Sequence, residues 1–292
     1  MIEAVRSREH VSIRRLARAA GEPVSTVGAW VRPATGEAKG SRRRRPVADD
    51  PVVRRAVRSL CQDPRHLTWG YRRVWALLRR QRGLCVNKKT VWRIMHEEGL
   101  VRAKVWHRPR RPRRVERMRP TRPNAAWQID MTSVRLSDLT PLFLVTVIDC
   151  YTREIVGYTL DRRCRASEWV SAVRMGLEGR GLVTKDACGG LTLRSDNGAQ
   201  PSSKRFVEFL GRVGVRGQYT GYNAPDDNAF VERVIRTVKE EEVWPNEYDT
   251  VAEAQEAIAR YVRYYNEERI HSSLGYRTPR EFSAAHATRA AA

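Results

Sequence analysis

Residues 126–160, AWQIDMTSVRLSDLTPLFLVTVIDCYTREIVGYTL, decide the fold class. They divide into WQIDMTSVRL, LFLVTVIDCY and EIVGYTL. The middle stretch is a continuous apolar run and the outer two partly alternate, which predicts three strands of a sheet buried on at least one face. Downstream, the pattern predicts a helix over about 166–178 and a strand at 191–195 (LTLRS) that ends at Asp196-Asn197-Gly198. A helix at 203–213 carries Phe206, Phe209 and Leu210. A strand at 215–219, a loop (GYNAPDD), a helix from about 226 to 241 and a last helix over about 250–267 follow, and the end beyond Phe282 is Ala-rich. Three strands, then helix, strand, helix, strand, helix is an α/β order with a mixed sheet.

Upstream the periodicity is helical. Residues 12–31 place Leu16, Ala17 and Ala20 on one face, break at Gly21-Glu22-Pro23 and restart at Ser25 or Thr26 before Val27 and Trp30, a short helix-turn-helix pattern that serves DNA contact or simple packing. A second block repeats Val53, Val57 and Leu60, then Val74, Leu77 and Leu78 after Trp69-Gly70-Tyr71. A third helix starts near Asn87, with Val91, Ile94 and Met95 inward and Lys88, Lys89 and Arg93 outward. As a recognition helix it would offer Lys88, Lys89, Trp92 and Arg93 to a groove, although each Lys also suits a solvated face and Trp92 is expected in the core. Pro109, Pro112, Pro120 and Pro123 among many Arg then exclude regular structure over 104–123.

The charge follows the same division. The 292 residues carry 55 Lys and Arg against 33 Asp and Glu, and the net charge is +22. Residues 1–122 hold 33 basic against 10 acidic residues, whereas residues 123–292 hold 22 against 23. Runs such as Arg42-Arg43-Arg44-Arg45 and the stretch containing Arg110 and Arg111 mark a polyanion-gripping arm, because phosphate neutralisation supplies most non-specific affinity for nucleic acid. No apolar run approaches the ~18 residues of a membrane span, and the charged N-terminus does not read as a signal peptide. Five scattered cysteines without a C-x-x-C pair suggest neither a disulfide framework nor a zinc finger. A cytoplasmic protein is expected.

Three acids stand where surface logic would not put them. Asp130 lies within strand WQID, Asp196 ends strand LTLRS, and Glu232 sits among Phe230, Val231, Val234 and Ile235. Buried acids need a partner or a cation, and converging carboxylates select Mg²⁺ or Mn²⁺. Two such ions about 3.5–4 Å apart serve phosphodiester displacement. Asp196 could instead make a turn, and Asp149, also at a strand end, is an equally plausible acid on pattern alone.

These residues resemble a known family. Asp196 and Glu232 are separated by 35 residues, and with Trp127-Gln128-Ile129-Asp130 upstream they look like the DDE core of retroviral-integrase-type transposases. The finer match is to the OrfB transposase of the IS-three family of bacterial insertion sequences. It rests on WGYRRVWALL, VNKKTVWRIMHEEGLVR, SDNG, NAFVERVIRTVKEE and YNEERIHSSLGYRTPREF, in order, over about residues 12–284. Family members usually have Pro where this chain has Ile270.

The resemblance implies a ribonuclease-H-like catalytic domain behind a small all-α helix-turn-helix region, with Asp130, Asp196 and Glu232 as catalytic residues and ligands of two Mg²⁺ ions. Arg236 and Lys239, on the face of Glu232, would hold the element end; an exposed ion pair with Glu240 is the structural alternative. Asn197 and Gly198 would shape the turn presenting Asp196, and the HSSLGY segment with Arg269 and His271 is a family marker open to packing or DNA contact. The expected division is a helix-turn-helix-like segment at 1–45, a trihelical DNA-binding domain at 46–103, a basic linker at 104–123, the core at 124–245 and a C-terminal helix and tail at 246–292. The implied reaction is cleavage of element ends and 3′-OH strand transfer. Expected partners are double-stranded DNA (terminal inverted repeats and target), an upstream-frame OrfA protein or fusion, and a second copy or more, with nucleoid association when DNA-bound. A hydrolysis-only nuclease and a catalytically silent DNA-binding regulator are the alternatives.

Overall fold

The computed structural model describes residues 12–24, 26–27, 51–101, 120–220 and 228–291. Trp30, Arg42 to Arg45, Arg110 and Arg111 lie outside the described residues. The chain forms two compact units, Met1–Asp50 and Pro51–Ala292. In the first, helix α1 (Ile13–Ala20) opens on the Ser12 side chain, which accepts from the Arg15 N–H, and closes at Gly21 with φ 67°, where the Gly-Glu-Pro break places it.

In the second unit, α2 (Pro51–Gln62), α3 (Tyr71–Arg82) and α4 (Lys88–Glu97) pack through Val53, Val57, Leu60, Val74, Leu77, Leu78, Val91, Ile94 and Met95. Their positions follow the 3.6-residue period. Ile270, more than 170 residues beyond α4, is buried in the same cluster. Trp92 departs from expectation: it is 44% exposed rather than in the core. Val91, Ile94 and Met95 already fill the inner face, and Trp92 stands one turn beyond Lys88 on the outer one.

The following strands are β1 (Ala126–Arg135), β2 (Pro141–Asp149) and β3 (Ile155–Asp161), and after helix α5 (Ala166–Gly179) come β4 (Thr192–Ser195), α6 (Lys204–Val213) and β5 (Arg216–Tyr219). They form one sheet in the order β3-β2-β1-β4-β5. The first three strands pair antiparallel, and β1-β4 and β4-β5 pair parallel. Helices α5 and α6 cover one face over Trp127, Ile129, Val145 and Val147. Helices α7 (Ala229–Val238) and α8 (Val251–Glu267) cover the other over Val134, Leu142, Leu144 and Ile148. Close packing of α5 requires Gly157 on β3, since a Cβ there would lie 2.0 Å from the Ala172 carbonyl oxygen.

Two features were not visible in the periodicity. Helix α7 does not run on to 241 as α-helix; Lys239–Val243 is a π turn closed by the Trp244 N–H on the Lys239 carbonyl (2.8 Å), and within it Glu241 is buried. The Ala-rich end is helical, α9 (Pro279–Ala291), opened by reciprocal bonds between Thr278 and Glu281. No described helix is long and apolar enough to cross a membrane.

Candidate active site

Side chains on β1 alternate between the two faces. Trp127 and Ile129 enter the α5–α6 core, so Gln128 and Asp130 share the opposite side with Val134, under α7. The parallel register pairs Gln128 with Arg194, so Asp196, one residue past β4, stands level with Asp130 on the neighbouring strand. The Asp196 turn is shaped by its neighbours, as expected: the Gly198 N–H donates to Asp196 Oδ1 (3.2 Å), and Asn197 Nδ2 donates to the Thr220 carbonyl (2.7 Å). Burial pushes Asp130 up to about 6; the Met131 N–H on its Oδ1 (2.7 Å) pulls the other way, and the charges of Asp196 and Glu232 raise it further. The three acids therefore share one electrostatic neighbourhood.

The helix bearing Glu232 is tied to β1 by two side chains. Gln128, 1% exposed, accepts through Oε1 from the Phe230 N–H (3.0 Å) and the Val231 N–H (3.1 Å). Asn228 Nδ2 donates to the Ile129 carbonyl (3.2 Å). Backbone donors that a helix start leaves unpaired are thus satisfied from the strand that carries Asp130. Pattern reading missed Gln128, whose only signal was a polar residue beside an apolar strand position. Gln128→Leu strands two N–H groups, one buried and one partly buried, and should cost roughly 1–3 kcal/mol of stability. Thermal unfolding of the variant beside the wild type would check this, and unchanged stability would contradict it.

Among the described residues, no three His, Cys, Asp or Glu side chains are drawn together closely enough to hold one ion. The donor chemistry nevertheless suits a hard divalent cation: three carboxylates on adjoining elements, one raised in part by the other two. Two buried oxygens beside β1 also lack a hydrogen-bond partner, Thr146 Oγ1, across from Asp130 in the β1–β2 register, and Asn228 Oδ1. Asp149, by contrast, is occupied structurally, accepting from the backbone N–H groups of Asn124, Tyr151 and Thr152 at 2.7–3.1 Å. These three bonds account for Asp149 at its strand end without a cation.

A family model described as an integrase core domain matches residues 120–223, a second of the same description matches 213–279, and one described as an HTH-like domain matches 48–110. The transposase for insertion sequence element IS904 of Lactococcus lactis is 31% identical over 222 residues, covering 68% of this chain and 81% of that protein. The chain belongs to the IS-three family of insertion-sequence transposases. The transposase InsD for insertion element IS2D of Escherichia coli is 28% identical over 246 residues, with 82% of this chain and 81% of that one covered. Among solved structures, the simian T-cell lymphotropic virus intasome in complex with PP2A regulatory subunit B56 gamma is similar at TM-score 0.47 and 18% identity, over 72% of this chain and 70% of that one. The HTLV-2 integrase catalytic core domain in complex with magnesium is similar at 0.42 and 19%, over 56% and 99%. The mixed five-stranded sheet of this family member lies within the integrase core domain match, and the trihelical bundle before it lies within the HTH-like one.

The remaining predicted residues of this transposase-family chain are distributed as follows. Arg236 is exposed on α7, and its Nε donates to Glu240 Oε1 (2.8 Å), the ion pair weighed as the structural alternative. Lys239 opens the π turn, three residues further along. Lys88 and Lys89 are exposed in the first turn of α4, whereas Arg93 leans toward Glu97 (3.7 Å).

Just before the HSSLGY segment, Arg269 packs on one buried carboxylate. Arg269 is 3% exposed and bonds Glu241 through both ends of its guanidinium, Nε to Oε2 at 2.7 Å and Nη2 to Oε1 at 2.8 Å. Tyr261 and Thr68 donate hydroxyls to the same carboxylate at 3.0 Å each, and Arg73 of α3 lies 3.5 Å away. The trihelical bundle, the turn after α7 and the C-terminal segment thus meet at Glu241. His271 lies against Arg269, and burial, followed by the charges of Arg269, Arg73 and Arg153, lowers it to about 2. It stays neutral when folded and takes a proton when unfolded below its usual value near 6.5, so stability should fall by up to about 1.4 kcal/mol per pH unit below that point. Melting curves at pH 7.5 and 5.5 on the wild type and His271→Asn should show a steeper acid loss in the wild type; equal slopes would exclude His271 as the cause.

Proposed function

We propose that this chain is the DNA transposase of its insertion sequence, cleaving a phosphodiester at each element end to leave a 3′-OH that attacks a target phosphodiester in line. The observation that supports it best is the arrangement of the acids: Asp130 on β1 and Asp196 just past the end of the neighbouring β4, with the helix of Glu232 capped by Gln128 of the Asp130 strand. Asp130, Asp196 and Glu232 would hold two Mg²⁺ ions, with Mn²⁺ as a substitute. When bound, such ions supply activation of the attacking oxygen and stabilisation of the leaving one.

Lys88 and Lys89 on α4 serve as contacts to duplex DNA, with Arg93 behind them, and Arg236 and Lys239 hold the element end beside Glu232. The ion pair of Arg236 with Glu240 is half-exposed and therefore cheap to exchange for a phosphate. Arg42 to Arg45, Arg110 and Arg111 add sequence-independent phosphate contacts. Terminal inverted repeats and target DNA are the substrates; two ends must be brought together, so a homodimer or larger assembly performs the reaction, together with an upstream-frame OrfA protein or fusion.

The test is transposition in cells of a marker flanked by the element's own ends, with this chain supplied alone or joined to its upstream frame. Joined ends or excised circles are expected. Nicks without joining would make the chain a hydrolytic nuclease, and DNA binding without either product would make it a silent regulator.

A further inference from the structure

One end of the trihelical bundle opens into a cleft of about 670 Å³ whose walls include Tyr71, Arg72, Lys88, Lys89, Trp92 and Tyr276. Three of these are cations and three are aromatic, and among the described residues no acid lines the cleft. The other large cleft of the bundle, against the end of α8, instead balances Arg65 and Arg80 with Asp63, Glu268 and Glu281.

The walls are built rather than incidental. Lys88 Nζ lies 4.2 Å from the centre of the Trp75 ring, which holds the ammonium in place. Tyr276 belongs to the family-marker segment and meets Trp75 edge-on at 6.0 Å. It sits at φ 61°, a region that costs a non-glycine residue roughly 1–3 kcal/mol. It is kept there by its N–H on the His271 carbonyl (2.8 Å) and by Arg80, which donates to the Tyr276 carbonyl. Trp92, against His96 at 5.1 Å, keeps nearly half its surface open beside the lysines.

An exposed indole beside clustered cations matches a nucleotide, whose base stacks on the ring while its phosphates meet the cations. Paired DNA hides its base faces in the stack, apart from the outer face of a terminal pair, so a base with both faces free is an unpaired one. We propose that this cleft seats an unpaired nucleotide of the DNA end, its base on Trp92 with Tyr276 in the adjoining wall, and its flanking phosphates on Arg72, Lys88 and Lys89. This rests on the transposase reading and assigns the C-terminal marker segment a part in DNA recognition alongside α4.

Anisotropy with the full chain and labelled duplexes of about two helical turns, blunt or carrying a short 3′ overhang of the same sequence, tests it. The wild type should bind the overhang duplex about tenfold more tightly, the scale of one base–aromatic stack. Trp92→Ala and Tyr276→Gly should erase that preference and leave blunt-duplex affinity unchanged; glycine accepts the positive φ at 276, so the second variant removes the ring without backbone strain. Lys88→Ala should weaken both complexes. Absence of an overhang preference in the wild type, or equal loss on both duplexes in Trp92→Ala, would overturn the assignment while leaving the transposase reading in place. Failure of the wild type to bind either duplex would overturn both.

Discussion

Glu232→Gln, Asp130→Asn and Asp196→Asn should each reduce strand cleavage and joining by more than about a hundredfold, since changes one shell out from a metal already cost 10–100-fold. Their effect on folding should have the opposite sign at Asp130. Its carboxyl is pushed up to about 6 by burial and by two neighbouring acids, so its ionised form is disfavoured in the folded chain at neutral pH. The neutral isostere removes that penalty, and Asp130→Asn should melt no lower than the wild type at pH 7.5 and should melt higher if the repulsion is felt in solution. Asp196 and Glu232 are exposed and their substitution should leave melting unchanged. Cleavage and joining assays on element-end DNA, run beside melting curves and DNA binding, separate chemistry from folding. Retained strand transfer in any of the three variants would overturn the assignment of the acids.

Glu241→Gln should be the most destabilising conservative substitution outside the apolar cores. The carboxylate is 6% exposed on its side chain and accepts from Arg269, Tyr261 and Thr68, with Arg73 nearby. Without its charge, Arg269 and Arg73 face each other across a buried site, and Arg73 is already pushed down to about 10 by burial and by the charge of Arg269. Breaking a buried pair costs about 3–5 kcal/mol, which corresponds to a fall in Tm on the order of 10 °C for a unit of this size. Arg260→Ala, which removes an exposed pair with Glu256, is the control and should change stability by less than about 1 kcal/mol. Comparable small losses in both variants would show that Glu241 is not the point joining the trihelical bundle to the C-terminal segment.

Much of this molecule was legible in its sequence because the relevant signals are local. The alternation of WQIDMTSVRL and the continuous run LFLVTVIDCY report one strand's two faces, and Val53, Val57 and Leu60 report one helix's inner stripe. Asp130 and Glu232 stood out as acids within apolar patterns, which short-range physics disfavours unless something else compensates.

What the sequence determined by itself was therefore the kind and order of the elements, the basic arm and a short list of acids. Only the tertiary structure showed which acids are neighbours. Asp149 and Asp130 both lie on β-strands; three backbone N–H groups occupy the first, whereas a parallel register and the Gln128 cap bring Asp196 and Glu232 to the second. It also decided that Arg269 is a buried partner of Glu241 rather than a surface contact, and that Trp92 faces out. The physical reason is that most of the deciding partners are distant in sequence, from the 25 residues between Asn124 and Asp149 to the 173 between Thr68 and Glu241, and no local period carries that information.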